Sequence, residues 1–288
     1  MNRRLFVKLA GALGLCPGRA AAQGIGVTLL TAPMEIRGAW PNTSLEAAGR
    51  VLPRIREACL SGVRLVSDRQ PDKLVVDDHT EGSPAIWLHD DHTRTAWIIV
   101  DIGPNDWCKL AYQFGHELGH VLCNSWEASA KPRPPSQWFE ESLVEAFSIR
   151  GLGLLARSWQ ENPPFQGDAG FGAAIRSYRD NLLAGYGKEA EPKLTSDLAA
   201  WFRADRLVLE SSQAAPKGVA VLHILKVLES DCDCVEDLGA VNRWPSRTGV
   251  PLEEYLTLWE KSCKEVGASG RLPARLSGLF DVPRGIGQ

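Results

Sequence analysis

Ala111-Tyr112-Gln113-Phe114-Gly115-His116-Glu117-Leu118-Gly119-His120-Val121-Leu122 carries the pattern His-Glu-x-x-His inside a run whose apolar residues recur at helical steps. Trp107, Leu110, Phe114, Leu118 and Leu122 fall three or four apart, which predicts a helix from Asn105 onward. On a helix, residues four apart lie one turn above each other. His116 and His120 can therefore offer both imidazoles to one cation from one face, with Glu117 beside the water such a cation would bind. The pattern nominates His116 and His120 as ligands of one Zn²⁺ per chain and Glu117 as general base. The plainer alternative is a helix whose two histidines only fill polar positions.

A hydrolytic zinc site needs a third protein ligand and an open fourth position. The continuation puts Cys123 where the metzincin extension has Gly and Trp126 where it has His, so the third ligand comes from elsewhere. A second predicted helix, Ser136 to Trp159, follows the Pro132, Pro134 and Pro135 break and opens with Trp138-Phe139-Glu140-Glu141-Ser142-Leu143-Val144-Glu145.

On the N-terminal side the chain reads as a small sheet. Met34 to Trp40, Val63 to Val66, Leu74 to Val76, Ala85 to Leu88 and Ala96 to Val100 are short runs rich in branched and aromatic residues. The polar stretch His89-Asp90-Asp91-His92-Thr93-Arg94 joins the last two as a hairpin loop. Between the first two runs, Thr43 and Glu46 form a capping-box signature for a helix that Pro53 should kink or divide. On the C-terminal side, helices are expected over Phe171 to Tyr186, Ser196 to Ser211, Lys217 to Glu229, Cys234 to Val241 and Pro251 to Val266. The expected class is α+β: a small mixed sheet with the two motif-bearing helices, followed by a mostly helical lobe. The divisions are a signal peptide over 1–22, a catalytic lobe over 23–160, a helical lobe over 161–268 and an irregular tail over 269–288.

The first segment is an export address rather than structure, with a basic start, an apolar stretch from Leu9 to Leu15 and a small-residue cleavage site at Ala20-Ala21-Ala22. Asn2-Arg3-Arg4-Leu5-Phe6-Val7-Lys8 resembles the bacterial twin-arginine signal, which implies a periplasmic or secreted destination. Its removal takes four basic residues and no acid from a chain of formal charge −3. A nucleic-acid partner is thereby disfavoured, because tracking phosphates takes a basic stripe. No run approaches the roughly 20 apolar residues of a membrane span. Beyond Cys16 six cysteines remain, and in an exported chain an even number predicts disulfides without choosing their connectivity. The ten tryptophans are scattered, which suits core packing.

His116, Glu117, His120 and the Trp138 to Glu145 segment together resemble the gluzincin metallopeptidases, the thermolysin-like and aminopeptidase-like group. In that group a Glu on the following helix completes the ligand set, preceded by Asn where this chain has Glu140. The resemblance, which covers about residues 85 to 150, implies a zincin-like lobe with Glu141 as third ligand and Glu145 as the acid that steadies a ligand histidine. At helical pitch Glu141 and Glu145 share a face, whereas Glu140 points about 100° away from Glu141. The resemblance also implies that Thr95 to Asp101 is the edge strand pairing with an extended peptide or protein substrate. A Tyr or His from the helical lobe would stabilise the oxyanion, for which Tyr178, Tyr186 and His223 are the candidates. The activity so implied is zinc-dependent peptide hydrolysis. A non-catalytic scaffold of the same shape and a zinc hydrolase acting on another bond are the alternatives, and substrate, endo- or exopeptidase character and oligomeric state stay open.

Overall fold

The computed structural model describes residues 29–283, apart from 42, 65–66, 80–82, 90–93, 105, 191–196 and 212–214. The export segment and most of the polar hairpin loop lie outside the described residues.

The class is α+β. Strands β1 (Met34–Gly38), β2 (Lys73–Asp78), β3 (Ala85–Ile86) and β4 (Thr95–Val100) form one mixed sheet in the order β1-β2-β4-β3. The first three neighbours run parallel and β3 is antiparallel to β4, with Ala85 opposite Ile99 and Ile86 opposite Ile98. The expected β3–β4 hairpin is present. The expected edge is not: β4 lies between β2 and β3, so the free edge belongs to β3. The Val63 to Val66 strand is also corrected, since Val63 and Arg64 lie in a loop. Leu74, Val76, Ala96, Ile98 and Val100 alternate along their strands and are fully buried, as a sheet with one face on the core requires.

Helix α1 (Leu45–Cys59) crosses from β1 to β2 and runs through Pro53 without being divided. Its cap is Ser44, whose Oγ accepts from Ala47 N–H at 3.1 Å, rather than Thr43, which is buried. Helix α2 (Trp107–Leu122) carries the His-Glu-x-x-His pattern and α3 (Gln137–Glu161) the following acids. The two helices come close because of a glycine: a Cβ at Gly119 would lie 2.9 Å from Val144 Cβ. Likewise Gly151 of α3 makes room for the Cys59 thiol of α1. On its other side α3 packs against α4 (Phe171–Ala190) and α6 (Gly218–Ser230), and α5 (Leu198–Ser211) and α7 (Leu252–Val266) complete the helical part.

One hydrophobic core runs from Leu29 to Phe280 through both parts of the chain. Trp138, Phe139, Phe202 and Phe280 meet with ring centroids 5.5 to 6.1 Å apart, mostly edge to face, directly under the start of α3. Phe280 belongs to α8 (Arg271–Phe280), so the segment expected to be an irregular tail holds a helix instead. Its Leu272, Leu276 and Phe280 recur every four residues. Pro273 hid that period, yet proline is tolerated in the first turn, where the missing N–H costs nothing. The expected α-helix at Cys234 to Val241 is a 3₁₀ helix over Cys232–Ala240. Trp259 donates to the Asp237 carbonyl at 2.7 Å, and the Asp237 carboxylate caps α8 through Gly270 and Leu272 N–H, so this segment is tied to its neighbours rather than to its own next turn.

Cys59, Cys108, Cys123, Cys234 and Cys263 are free buried thiols and Cys232 is disulfide-bonded, so the expected pairing among the six holds for none of these five. Each occupies a helix-packed position and serves as a small apolar side chain. Among the described residues no helix is long and apolar enough to cross a membrane.

Candidate metal centre

α2 presents His116 and His120 with ring centroids 5.1 Å apart, and α3 brings Glu141 in front of them. Glu141 Oε2 lies 3.4 Å from His116 Nε2 and 3.6 Å from His120 Nε2. One ligand atom from each of these residues can be chosen so that all lie within 4.8 Å of one another. All three side chains are mostly buried, at 16%, 11% and 15% exposure, so the group is shielded from bulk water without being sealed.

What orients the rings is a second row of carboxylates. His116 Nδ1 lies 2.8 Å from Glu145 Oε2, and His120 Nδ1 lies 2.9 Å from Glu140 Oε1. An ionised carboxylate only accepts, so in the neutral imidazole the Nδ1 carries the proton and the Nε2 lone pair faces Glu141. Two bare imidazole nitrogens and one carboxylate oxygen, each imidazole backed by an acid, form a donor set that suits a zinc ion. The group can hold a metal ion.

The two supports differ in construction. Glu145 is fully buried and accepts from Tyr112 Oη at 3.0 and 3.1 Å and from Tyr186 Oη at 2.8 Å, in addition to His116. Burial and the Glu145 charge push both phenols well above their ordinary range, which keeps them protonated and donating. Glu140, also buried, accepts from Asn242 Nδ2 at 2.8 Å on its other oxygen. Asn242 is itself buried, donates to Ser125 Oγ at 2.9 Å and sits in the left-handed region at φ 57°. Such a backbone suits Asn better than most residues.

Without a cation the cluster is strongly electronegative. Burial pushes His116 down, but hydrogen bonds to Glu141 and Glu145 outweigh it and the imidazole rises to about 9. His120 rises well above its ordinary value for the same reasons, against burial, through Glu140 and Glu141. Glu141 moves the opposite way: burial raises it, and the two histidines more than reverse that. Glu117, next to His116 and 5% exposed, is raised, mainly by desolvation. The Ile86 backbone N–H on β3 works against that rise, which places Glu117 near the free edge of the sheet.

The structure thus brings His116, His120, Glu141, Glu117 and Glu145 together. Tyr186 reaches the centre only through Glu145, so its hydroxyl is engaged there rather than free for a substrate oxygen. Tyr178 packs on Tyr112 with ring centroids 6.1 Å apart. His223, on α6, is half-buried near the Lys226 charge and shares no described hydrogen bond with the triad. Glu140, Asn242, Ser125, Tyr112 and the Ile86 N–H join the centre without a role expected from the sequence. Glu140 was legible as an acid beside Glu141, and its angle away from Glu141 is what lets it reach a different imidazole. Asn242 had no signal at all, being 102 residues from Glu140 in sequence. No protein-family model, no curated protein and no solved structure matches the chain.

Proposed function

We propose that this chain is a zinc-dependent metallopeptidase of the gluzincin type, with a zincin-like lobe built on the sheet, α2 and α3. The observation that carries the reading is the pair of imidazoles whose Nε2 atoms converge on Glu141 while a separate buried carboxylate holds each Nδ1. A polar surface helix would not bury four glutamates around two histidines, since each buried carboxylate costs several kcal/mol unless paired. When bound, zinc supplies a Lewis acid and brings the pKa of its water toward about 7.

The chain's own residues do the rest. Glu117, raised by burial, takes a proton on its carboxylate from the attacking water and returns it to the nitrogen of the departing amine. Glu140 and Glu145 hold the two Nδ1 protons and so keep the rings in register throughout. The free edge of β3 offers backbone groups to an extended peptide next to Glu117, which favours a peptide or protein substrate. Export is proposed on the Met1 to Ala22 segment alone.

The test is zinc content of the purified protein together with cleavage of a mixed peptide library, for wild type, Glu117→Gln and His116→Ala. About one zinc per chain with cleavage in wild type, and zinc without cleavage in Glu117→Gln, supports the assignment. Zinc without peptide cleavage in wild type would move the reading to another bond. Absence of zinc under replete conditions would leave a non-catalytic scaffold.

A further inference from the structure

The loop leading into α3 and the loop leading into α7 border a half-open cavity of about 360 Å³. Its wall carries Lys131, Arg133 and Arg247 together with Ser129 and Ser246, and the two remaining places are closed by Pro132 and Pro245, without any carboxylate in the lining. Three cations around one hollow run against the sign of a chain whose formal charge is −3.

Arg247 is built into this place. Its side chain is 8% exposed, and its backbone is left-handed at φ 47°, a conformation that costs a non-glycine residue roughly 1 kcal/mol and needs fixing. Trp244 supplies the fixing: its indole N–H donates to the Arg247 carbonyl at 2.8 Å, and its own carbonyl accepts the Arg247 N–H at 3.2 Å. One guanidinium nitrogen donates to the Asn124 carbonyl at 2.6 Å. The other stands 3.7 Å from Glu127, a half-exposed carboxylate at the limit of an ion pair. Five N–H donors on a buried fork are not exhausted by these two partners. Arg133 lies with its guanidinium flat against Gly249, where any Cβ would collide with it, and its backbone N–H is held by Thr248 Oγ1 at 2.9 Å. Neither Arg133 nor Lys131 has an ion pair with a described carboxylate.

We propose that this cavity binds an oxyanion, the phosphate or carboxylate group of a small molecule, on Arg133, Arg247 and Lys131. Planar forks match both oxyanions in geometry, the two serines add donors, and the volume falls within the range of small-molecule sites. Loose attraction to exposed cations is screened beyond about 8 Å at physiological salt, so a built site is distinguished by binding that survives there.

The experiment is calorimetric titration of the full chain with inorganic phosphate and, separately, with citrate, at constant ionic strength set by chloride near 0.15 M. The expected result is saturable binding of at least one of them, with Kd at about a millimolar or tighter, weakened at least about tenfold in Lys131→Gln/Arg133→Gln. That double variant, altered at two exposed side chains, should melt within a degree or two of wild type when no anion is present. Response to phosphate alone identifies a phosphate-bearing ligand, and response to citrate alone a carboxylate-bearing one. The His116→Ala protein should bind equally well, which separates this cavity from the metal centre. Lack of saturable binding by either anion, binding undiminished in the double variant, or binding lost in His116→Ala would each overturn the proposal.

Discussion

His116 and His120 are one turn apart on the same helix, yet they are held by two different kinds of support. The Glu145 carboxylate behind His116 gathers three donors, the imidazole and two phenols, one of them from α4. The Glu140 carboxylate behind His120 takes one oxygen for the ring and one for the amide of Asn242, from the loop after the 3₁₀ helix. The first support ties the centre to α4, and the second ties it to the segment leading into α7. A pair of side chains that looks symmetrical in the sequence is thus anchored to two separate parts of the fold.

Removing either ring should erase the comparison altogether. His116→Ala and His120→Ala should each reduce zinc from about one equivalent to a trace after dialysis, because two protein ligands do not retain zinc against a buffer. Equal retention by one of them would show that the two sides are not both ligands. Removing a supporting charge should be milder and unequal. Glu145→Gln and Glu140→Gln should each lower zinc affinity about 10- to 100-fold in a chelator competition. Glu145→Gln should be the worse, since three donors would then face an amide that also donates.

The metal-free protein adds a pH dependence. With His116 raised from 6.5 to about 9, the stability it contributes is fully present below 6.5 and disappears as pH climbs through 9. Glu141, lowered from 4.5, contributes stability that is present above 4.5 and is lost as pH falls below it. Chemical denaturation in chelator should therefore show greatest stability between about 4.5 and 6.5 and a decline toward pH 9. Zinc-loaded protein should lack that alkaline decline, because Nε2 is no longer available to the proton.

The smallest effects should come from the outer donors. Asn242→Gly accepts the left-handed backbone without strain and removes the hydrogen bonds to Glu140 and Ser125, at a cost of about 1.5–3 kcal/mol, most of it for the bond to a buried charge. Tyr186→Phe should cost less, about 1 kcal/mol, because Glu145 keeps Tyr112 and His116. Thermal or denaturant midpoints of the two variants would rank them, and the reverse order would mean that α4 is the firmer anchor.

How much of this was legible follows from what sequence spacing can encode. The two imidazoles, Glu117 and the Glu141–Glu145 face are helical-period features, readable because neighbours on a helix are neighbours in sequence. The α+β class and the β3–β4 hairpin were readable for the same local reason. The edge was misplaced because strand order is not local: two residues at Ala85 and Ile86 suffice to cover β4 and to bring an N–H to Glu117. Asn242 and Ser125 were invisible since they act across more than a hundred residues. Five of the six cysteines misled because an even count carries no information about proximity, and Cys59 faces Gly151 rather than another thiol. Helix α8 was missed at Pro273, where a residue that breaks helices in their interior was sitting in a first turn.

The most direct measurement is X-ray absorption at the zinc edge on protein loaded with one equivalent of zinc. The account predicts two imidazole nitrogens at about 2.0–2.1 Å, with the remaining positions filled by oxygen from Glu141 and solvent and no sulfur. A shell containing sulfur, or one with fewer than two imidazoles, would contradict the convergence of His116, His120 and Glu141 on a single ion.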